Sequence, residues 1–588
     1  MTLDIFIVLA LLVVAMVFFT FEWLSIDIVT ICLLVGLILS GILSPDEAFA
    51  GFASEIIVIL VSVFVLSGTL VKTGVMDWLG HAIFRVAGGS QNRISIALSS
   101  LSAALSAVFS NTNSTAVLIP STFELAKRGK FHPSKLLMPL AFASIMGGTC
   151  TLIGTSTNVA ASGMLETLGY EPYSFFEFTA VGLVIVVVGI LYLTFVGHRL
   201  LPTHPATSLS ERYDIQRYLS AVLVTKGSRL AGKTLGEAGL SERGFNVAVI
   251  ERDGKKKMPR RNSRLREGDL LIVEATREAL LATKGSTDLR LEADPIRGDK
   301  VLVAEGAKLV EAFVMPGSEI AGKTVQRSAL RSRYGVSVLA LQRPGQKVSA
   351  AIGKLSIRVG DVLLLQGSES DFEAIRQSGG LRMLDEVGHL PFRRPKGLFA
   401  AGALLVGILA GSFGVVPLSV GLLMAAVAVV LRKCITPEEI YGLIEWRLIV
   451  LIGGMTSFGV AMQKTEAAEY LAQLVISWVL PFGIYAVMAS LAILTIILTQ
   501  PLSNAAAVLV ILPVAISTAL QLDVNPRTFA VLVTLSASLS FITPFEPACL
   551  LVYGPGGYRF SDFVKSGSVL TAISFVTLLL LVPRIWPL

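Results

Sequence analysis

The sequence predicts an α-helical polytopic membrane protein made of two inverted repeats, with an inserted α+β segment between them. The 588 residues are 53% hydrophobic and only 15% charged. A soluble chain of this length needs more polar surface, so the composition favours many membrane spans. Apolar stretches of crossing length lie on both sides of a polar segment at 203–394, and short motifs recur in the two apolar parts at a fixed spacing.

Five apolar segments in the first half of the chain, residues 1–202, predict bilayer crossings, since about 20 residues span the hydrocarbon. They lie near 3–21, 25–43, 53–72, 134–166 and 175–199. Polar residues interrupt a further apolar stretch, 92–126, which predicts a hairpin that enters the membrane and turns back. The N-terminal run lacks the basic residues and the cleavage site of a signal peptide, so we expect it to be the first crossing.

The second half, residues 395–588, repeats this pattern. Its predicted crossings lie near 397–412, 417–433, 446–464, 526–553 and 564–586, and its interrupted stretch is 467–520. Five crossings per half is an odd number, so two similar halves would be inverted relative to each other. The positive-inside rule places basic residues 127–135 and the segment 203–394 in the cytosol and the N-terminus outside. We expect the chain to lie in a plasma membrane, with a bacterial inner membrane favoured.

Two polar motifs break the apolar hairpins. Ser110-Asn111-Thr112 is followed by Pro120, and Ser503-Asn504-Ala505 is followed by Pro513, with an offset of 393 residues in each case. Each motif is followed by another break, at Gly154–Asn158 and at 543–547.

Broken helices survive in a bilayer only where they line a cavity enclosed by protein. Two matched pairs of breaks therefore predict a binding site near the middle of the membrane. There, helix N-termini and hydroxyls would bind an anion, and freed oxygens would bind a cation. The alternative is ordinary polar contact between helices, which membrane bundles also use.

The middle segment contains a second duplication. Residues 228–234 (SRLAGKT) recur as 318–324 (SEIAGKT), and each copy continues with a β-type run and an Arg-x-Gly-Asp sequence. This predicts two α+β modules, at 203–296 and 297–394. The Gly-Lys-Thr sequences lack the full phosphate-binding loop, so the pattern argues against nucleotide hydrolysis. Residues 203–394 carry 32 Lys and Arg against 23 Asp and Glu, without interleaved aromatic residues, so we expect no nucleic-acid partner.

These motifs resemble the divalent-anion/sodium symporter family, which covers sodium-coupled sulfate and dicarboxylate carriers. The insert resembles two C-terminal subdomains of the regulator-of-potassium-conductance (TrkA-C) type, and the run 552–562 (VYGPGGYRFSD) fits the subgroup that carries them. The resemblance implies a homodimer in the lipid bilayer with an elevator-type moving domain and Na⁺ as the coupling ion. It also implies a regulatory insert, for which we expect a small ligand that the sequence does not identify.

The resemblance also implies the site residues. The residues implied to contact the substrate are Ser110, Asn111, Thr112, Ser503, Asn504 and Pro547. The first sodium site would lie near Ser110, Asn111, Gly154 and Asn158. The second would lie near Ser503, Asn504 and the 543–547 loop that contains Glu546.

Two residues depart from the family pattern. Ala505 removes one hydroxyl that would face the substrate, which favours a compact oxyanion such as sulfate over a dicarboxylate. Glu546 stands where a Thr is expected, and a carboxylate at bilayer depth is costly enough to indicate function. It could bind Na⁺, carry a proton, pair with an amine of the substrate, or cap the backbone beside Pro547.

The sequence thus predicts a symporter that imports a small divalent anion, with sulfate as the leading substrate and Na⁺ as the driving ion. The first alternative is a Na⁺- or H⁺-coupled carrier of dicarboxylates or sulfur-containing organic anions. The second is a ligand-gated, channel-like protein. A membrane enzyme is disfavoured, because the sequence has no nucleophile–base pair and no metal-ligand cluster.

Overall fold

The chain forms two compact units, residues 1–203 together with 389–588, and residues 204–388. The predicted boundaries at 202/203 and 296/297 fall outside the described residues. The computed structural model describes residues 2–21, 24–75, 90–129, 131–201, 219–240, 245–252, 255–257, 259, 262–275, 288–291, 308–314, 318–343, 355–358, 360–378, 381–383 and 394–588.

Helices are the regular secondary structure of the first unit over its described residues. Seven of its helices are long and apolar enough to cross a membrane, and five shorter apolar helices accompany them, as expected of a polytopic membrane protein. The main described helices of the first half are α1 (Leu3–Phe21), α2 (Ile26–Leu39), α3 (Pro45–Ala50), α4 (Glu55–Lys72), α5 (Gln91–Ser106), α6 (Asn111–Gly129), α7 (Ser134–Gly148), α8 (Ser156–Thr167) and α9 (Thr179–Tyr192).

The described helices of the second half follow in a similar order and are numbered from α12, because the elements of the insert come before them in the chain. They are α12 (Arg394–Ser412), α13 (Leu418–Leu431), α14 (Pro437–Leu443), α15 (Trp446–Lys464), α16 (Ala467–Val479), α17 (Ile484–Thr499), α18 (Asn504–Gln521), α19 (Pro526–Ala537), α20 (Pro547–Tyr553) and α21 (Phe560–Ile585). The short α3 and α14 both begin with a capping box and a Pro in the first turn, which fixes where each helix starts.

The predicted breaks appear as gaps between helices. The crossing predicted at 134–166 consists of α7 and α8, and the one at 526–553 consists of α19 and α20. The hairpin predicted at 92–126 is α5 and α6. The interpretation of 467–520 as one hairpin is wrong: it contains three helices, because Pro481 lies in a 3₁₀ turn and Gly483 adopts a left-handed φ of 96° after α16.

The helices that carry the breaks are also the most buried. Nearly every residue of α7 and α18 is buried, whereas α12 and α13 expose apolar side chains such as Leu405 and Met424. A helix that is apolar and buried all round belongs to the centre of a bundle. Phe142 of α7 contacts Phe541 and Phe563 of the second half edge-on, with ring centroids 5.4 and 6.0 Å apart, so both halves share one core.

The second unit contains two antiparallel sheets. The first has the order β3-β2-β4-β1-β5, with β1 (Leu219–Val224), β2 (Phe245–Arg252), β3 (Lys255–Lys257), β4 (Leu270–Ala275) and β5 (Leu289–Leu291). The second has the order β7-β8-β6-β9, with β6 (Lys308–Val314), β7 (Ser337–Gln342), β8 (Val362–Gly367) and β9 (Leu381–Met383). Helices α10 (Leu330–Tyr334) and α11 (Glu369–Ser378) accompany the second sheet.

Both sheets contain the same buried ion pair. Arg252 donates to both carboxylate oxygens of Asp269 at 2.6 and 2.7 Å, and Arg343 donates to those of Asp361 at 2.9 and 2.7 Å. Each aspartate belongs to one of the repeated Arg-x-Gly-Asp sequences and also accepts the backbone N–H of the Arg that begins it. The sequence duplication therefore corresponds to a repeated local structure.

Candidate functional site

The first polar motif forms the turn between α5 and α6. Ser110 Oγ accepts the backbone N–H of Asn113 at 3.3 Å and so caps α6. Ser106, the last residue of α5, donates its hydroxyl to Asn111 Oδ1 at 2.8 Å. The turn and the end of the preceding helix thus fix the orientation of the Asn111 amide. We call residues 110–112 the first tip.

The second motif repeats this arrangement between α17 and α18. Ser503 Oγ accepts the N–H of Ala506 at 3.2 Å, and Thr499 donates to Asn504 Oδ1. Ser106 and Thr499 each precede the tip asparagine by five residues. Thr499 begins the polar run that marks the second break in the sequence, but neither hydroxyl is among the predicted site residues, although the two are related by the same 393-residue offset as the motifs. We call residues 503–504 the second tip.

The Gly154–Asn158 loop packs against the first tip. A Cβ atom on Gly148 would lie 2.4 Å from Asn111 Oδ1 and would displace that amide, and one on Gly154 would lie 2.7 Å from the carbonyl oxygen of Gly148, so the backbone leaves room only for glycine at position 154. Asn158 donates to the carbonyl oxygens of Thr151 at 2.9 Å and of Gly148 at 3.4 Å. The structure therefore brings Asn111, Gly154 and Asn158 together.

One oxygen of this group lacks a donor. Asn158 Oδ1 is fully buried and has no hydrogen-bond partner among the described residues. A buried amide oxygen normally accepts a hydrogen bond, because leaving it unpaired costs about 1–3 kcal/mol. A cation bound beside it would remove that cost.

Glu546 connects the two halves. Its Oε2 accepts the N–H groups of Ala548 at 2.7 Å and Cys549 at 3.4 Å, and so caps α20. Its Oε1 accepts the side-chain N–H of Asn111 at 3.4 Å. Within the described ranges, no Lys, Arg or His forms an ion pair with this carboxylate.

The second loop supplies further hydroxyls. Asn504 donates its amide to Ser540 Oγ at 3.1 Å. The hydroxyls of Ser536 and Ser538 are buried without a partner in the described part of the chain. These three serines are not among the predicted site residues. A serine at every second position from the end of α19 is the sequence pattern that would have indicated them. Cys549, which stands where the first half has Asn158, is buried.

The site residues differ in accessibility. Asn111, Gly154 and Asn158 are buried, whereas Ser110, Thr112, Ser503, Asn504 and Glu546 are partly accessible and Pro547 is exposed. Thr112 makes no hydrogen bond with the described residues, and the hydroxyls of Ser110 and Ser503 act only as acceptors in their caps. Three hydroxyl protons therefore remain available to an oxyanion.

The chain is similar to known transporters along its whole length. Residues 16–536 match the family model described as citrate transporter. An uncharacterized transporter of Synechocystis sp. is 33% identical over 593 residues, which is 98% of this chain and 96% of the relative. The uncharacterized transporter YfbS of Escherichia coli is 30% identical over 602 residues, which is 99% of both chains.

A relative that matches a shorter part of the chain is named after a substrate. Sodium/sulfate cotransporter 2 of Chlamydomonas reinhardtii is 30% identical over 284 residues, which is 44% of this chain and 32% of the relative. These matches agree with the predicted kind of carrier but give no support to the regulator-of-potassium-conductance subdomains, which stay a prediction. The chain belongs to the citrate transporter family, and it is a transporter rather than an enzyme.

Proposed function

We propose that this protein is a secondary active symporter that imports a small divalent anion, with sulfate as the leading substrate, driven by the Na⁺ gradient. The observation that carries the proposal is the unpaired, buried Asn158 Oδ1 behind a tip that offers free hydroxyl protons. Coupled binding requires groups that bind the cation to lie next to groups that bind the anion. Each ion then lowers the free energy of binding the other.

The first Na⁺ would bind among Asn111, Gly154 and Asn158, with Ser110 at the tip. Na⁺ is a hard cation that takes oxygen ligands, and the oxygens that these residues supply belong to neutral amide and backbone groups. The Oδ1 of Asn111 lies close to Gly148, and the backbone oxygens of Gly148 and Ser106 approach Gly154, which supports a compact oxygen cage.

The second Na⁺ would bind near Ser503, Asn504 and Glu546. The unpaired hydroxyls of Ser536 and Ser538 add oxygen atoms to this half of the site. The two cation sites would differ in charge, because the second alone contains a carboxylate. Glu546 would therefore hold its cation by charge as well as by coordination.

The anion would bind between the tips through the hydroxyls of Ser110, Thr112 and Ser503 and the amides of Asn111 and Asn504, beside Pro547. Helices α6 and α18 begin at the tip asparagines, and the positive ends of their dipoles favour negative charge there. The name of the Chlamydomonas relatives and the absence of a hydroxyl at Ala505 support sulfate.

We further propose an elevator-type cycle in a homodimer in a plasma membrane, with a bacterial inner membrane favoured and residues 203–394 in the cytosol. The insert would regulate transport, with two TrkA-C-like modules and a small ligand of unidentified chemistry. The shared capping boxes of α3 and α14 and the repeated hydrogen bonds of the two tips support an inverted repeat.

A second candidate is an organic-anion carrier, coupled to Na⁺ or H⁺, for dicarboxylates or sulfur-containing organic anions. The description of the matching family model, citrate transporter, favours it. The channel-like alternative has no observation in its favour.

Uptake in proteoliposomes separates the candidates. Radiolabelled sulfate, succinate and citrate would each be offered with an inward Na⁺ gradient, an inward proton gradient, or neither. We expect concentrative sulfate uptake only with the Na⁺ gradient, and its loss in Ser110→Ala with Ser503→Ala. Ser477→Ala, whose hydroxyl bonds only to Leu474 O of its own helix, serves as the control. Uptake that is independent of Na⁺ would contradict the proposal.

A further inference from the structure

Two ion pairs connect the halves in a reciprocal way. Lys464, the last residue of α15, lies 2.9 and 3.0 Å from the carboxylate oxygens of Glu47 in α3. Lys72, the last residue of α4, lies 3.0 Å from Glu439 in α14. In each pair, a long helix of one half ends at the short helix of the other half. The sequence analysis missed both pairs.

The geometry places these pairs at opposite ends of two antiparallel helices. Glu47 lies just before the start of α4 and meets the end of α15, whereas Glu439 lies just before the start of α15 and meets the end of α4. The 18 residues of α4 span about 27 Å at 1.5 Å per residue, close to the thickness of the hydrocarbon. One pair therefore lies near each face of the membrane.

Each carboxylate also accepts a hydrogen bond at the N-terminus of its own helix, which fixes its position independently of the lysine. Glu47 Oε2 accepts the N–H of Ser44 at 2.7 Å, and Glu439 Oε2 accepts the N–H of Thr436 at 3.0 Å, as in a capping box. An ordinary exposed ion pair is weak partly because two flexible side chains must be ordered. Here the cap already orders one of them.

The helices of the two halves are closely packed near both ion pairs. A Cβ atom on Gly51 would lie 2.1 Å from the carbonyl oxygen of Gly453 in α15, and one on Gly68 of α4 would lie 2.3 Å from a methyl group of Leu443 in α14. Helices α2 and α4 also pack against α15 and α13, respectively. We call α2–α4 together with α13–α15 the crossed frame.

Both pairs are closed while the substrate-facing tips are accessible. Ser110, Thr112, Ser503 and Asn504 are all partly accessible in the structure that contains both ion pairs. A pair that gated the open side would have to be broken in this state. Neither pair is broken here, so the closed ion pairs do not bury the tips.

We propose that Glu47–Lys464 and Glu439–Lys72 are permanent clamps, which keep the crossed frame rigid through the whole transport cycle while the tips move against it. This inference rests on the proposed transport cycle. The clamps are not gates: in the described part of the chain, their hydrogen bonds and ion pairs connect helices of the frame alone.

The surface between the crossed frame and the helices that carry the site contains glycine and apolar side chains. Gly459 of α15 packs against the side chains of Met164 in α8 and Pro513 in α18, and Gly163 of α8 packs against Ile56 of α4. Among the described residues, no ion pair bridges this surface. Glycine against flexible apolar side chains permits sliding without the loss of a charged contact.

Cross-linking distinguishes a clamp from a gate. Glu47→Cys with Lys464→Cys and Lys72→Cys with Glu439→Cys would be combined in one chain that also carries Cys32→Ala, because Cys32 is exposed. A short bis-thiosulfonate reagent bridges each pair, and intact mass counts the bridges per molecule. We expect doubly bridged molecules, with yields unchanged by Na⁺ or sulfate, and uptake close to that of the unbridged variant.

Gates would behave differently. If the pairs open alternately, the first bridge traps a state in which the other pair is apart, so molecules with a single bridge and arrested uptake would overturn the proposal. Gly459→Cys with Met164→Cys is the matched control, because a bridge across the sliding surface should stop uptake until it is reduced. If the parent transports no anion, the proposed function fails, while the bridge count still decides between clamp and gate.

A double-mutant cycle gives a second measurement. Glu47→Gln retains the capping box but removes the charge, and Lys464→Met removes the partner. We expect the two substitutions to lower the midpoint of thermal unfolding non-additively, with a reduced maximal uptake rate and unchanged half-saturation for Na⁺. Asp46→Asn, an exposed neighbour without a described ion pair, should change neither quantity. Additive effects would overturn the assignment.

Discussion

The side-chain amide of Asn111 donates to the carboxylate of Glu546 at 3.4 Å, across 435 residues of sequence. The other end of the same amide accepts the hydroxyl of Ser106 and lies beside Gly148. One side chain therefore contacts both the group of residues proposed to bind the first cation and Glu546, the carboxylate proposed to bind the second. The two halves of the proposed site share this residue and are not independent.

Removing the charge of Glu546 tests the second cation site. In Glu546→Gln we expect the half-saturating Na⁺ concentration to rise about tenfold or more, since a charge-assisted contact is replaced by a neutral one. Uptake of labelled anion against Na⁺ concentration measures this. Glu166→Gln, which changes an exposed carboxylate near the end of α8, should behave like the parent. An unchanged Na⁺ dependence in Glu546→Gln would exclude Glu546 from coupling.

Substitution of Asn158 tests the first cation site. Asn158→Ala removes the unpaired Oδ1, and a ligand contact to a charged ion is worth about 1.5–3 kcal/mol, so we expect Na⁺ affinity to fall about 10–100-fold. Equilibrium Na⁺ binding by calorimetry without the anion checks it. Asn525→Ala, which removes an amide cap outside the site, is the control. Equal Na⁺ binding by Asn158→Ala and the parent would contradict the assignment.

The hydroxyls that hold the tip amides can be exchanged between the halves. Ser106→Ala should raise the half-saturating Na⁺ concentration about 3–10-fold, because one hydrogen bond of about 0.5–1.5 kcal/mol is lost. Ser106→Thr introduces the residue that the second half uses at Thr499, and should restore the value. Ser102→Ala removes a buried hydroxyl one turn earlier that bonds to Leu140 O, and should not affect Na⁺ binding. Failure of the Thr variant to restore binding would count against this role.

The acid stability of the Glu439–Lys72 pair follows from its cap. The N–H of Thr436 lowers the pKa of Glu439 below its ordinary value of 4.5, and Lys72 lowers this pKa further. A lowered folded pKa means that the stabilisation is complete above the ordinary value and is lost as the pH falls through the folded one. We therefore expect Glu439→Gln to cost a constant amount, up to about 1 kcal/mol, above about pH 5.

Thermal unfolding of the parent and Glu439→Gln across a pH series measures this difference. It should shrink only in more acidic solution, where both chains carry a neutral side chain at this position. Glu438→Gln, an exposed neighbour in the same short helix, is the control. A difference that disappears already near neutral pH would contradict the sign of the shift.

The buried pairs of the insert should dominate its stability. Arg343→Ala leaves Asp361, which is 1% exposed, without its cation, at a cost of about 3–5 kcal/mol. Arg252→Ala should have a similar effect on the first module. Hydrogen exchange of β8 and β4 in the full-length chain measures each effect. Arg333→Ala breaks an exposed pair with Glu319 and should cost about 0–1 kcal/mol, so equal effects would refute the prediction.

The sequence predicted the positions at which helices are interrupted more reliably than the number of helices around each interruption. Ser110 and Ser503 cap α6 and α18, as their position before apolar helices indicates, because capping depends on neighbouring residues alone. The prediction for 467–520 failed because a Pro481-Gly483 turn ends a helix within an otherwise continuous apolar run. Hydrophobicity alone cannot show such an ending.

By itself, the sequence determined that the chain has helices able to cross a membrane, where those helices break, and that short motifs recur between its two membrane halves and within its insert. These properties follow from hydrophobic length, local capping and motif spacing, which depend on residues that are close together in the sequence or on their positions in it. Only the tertiary structure decided that Asn111 meets Glu546, that Asn158 Oδ1 lacks a donor, and that Lys464 and Lys72 pair with the opposite halves. Those contacts depend on which helices pack together, and packing joins residues that are hundreds of positions apart.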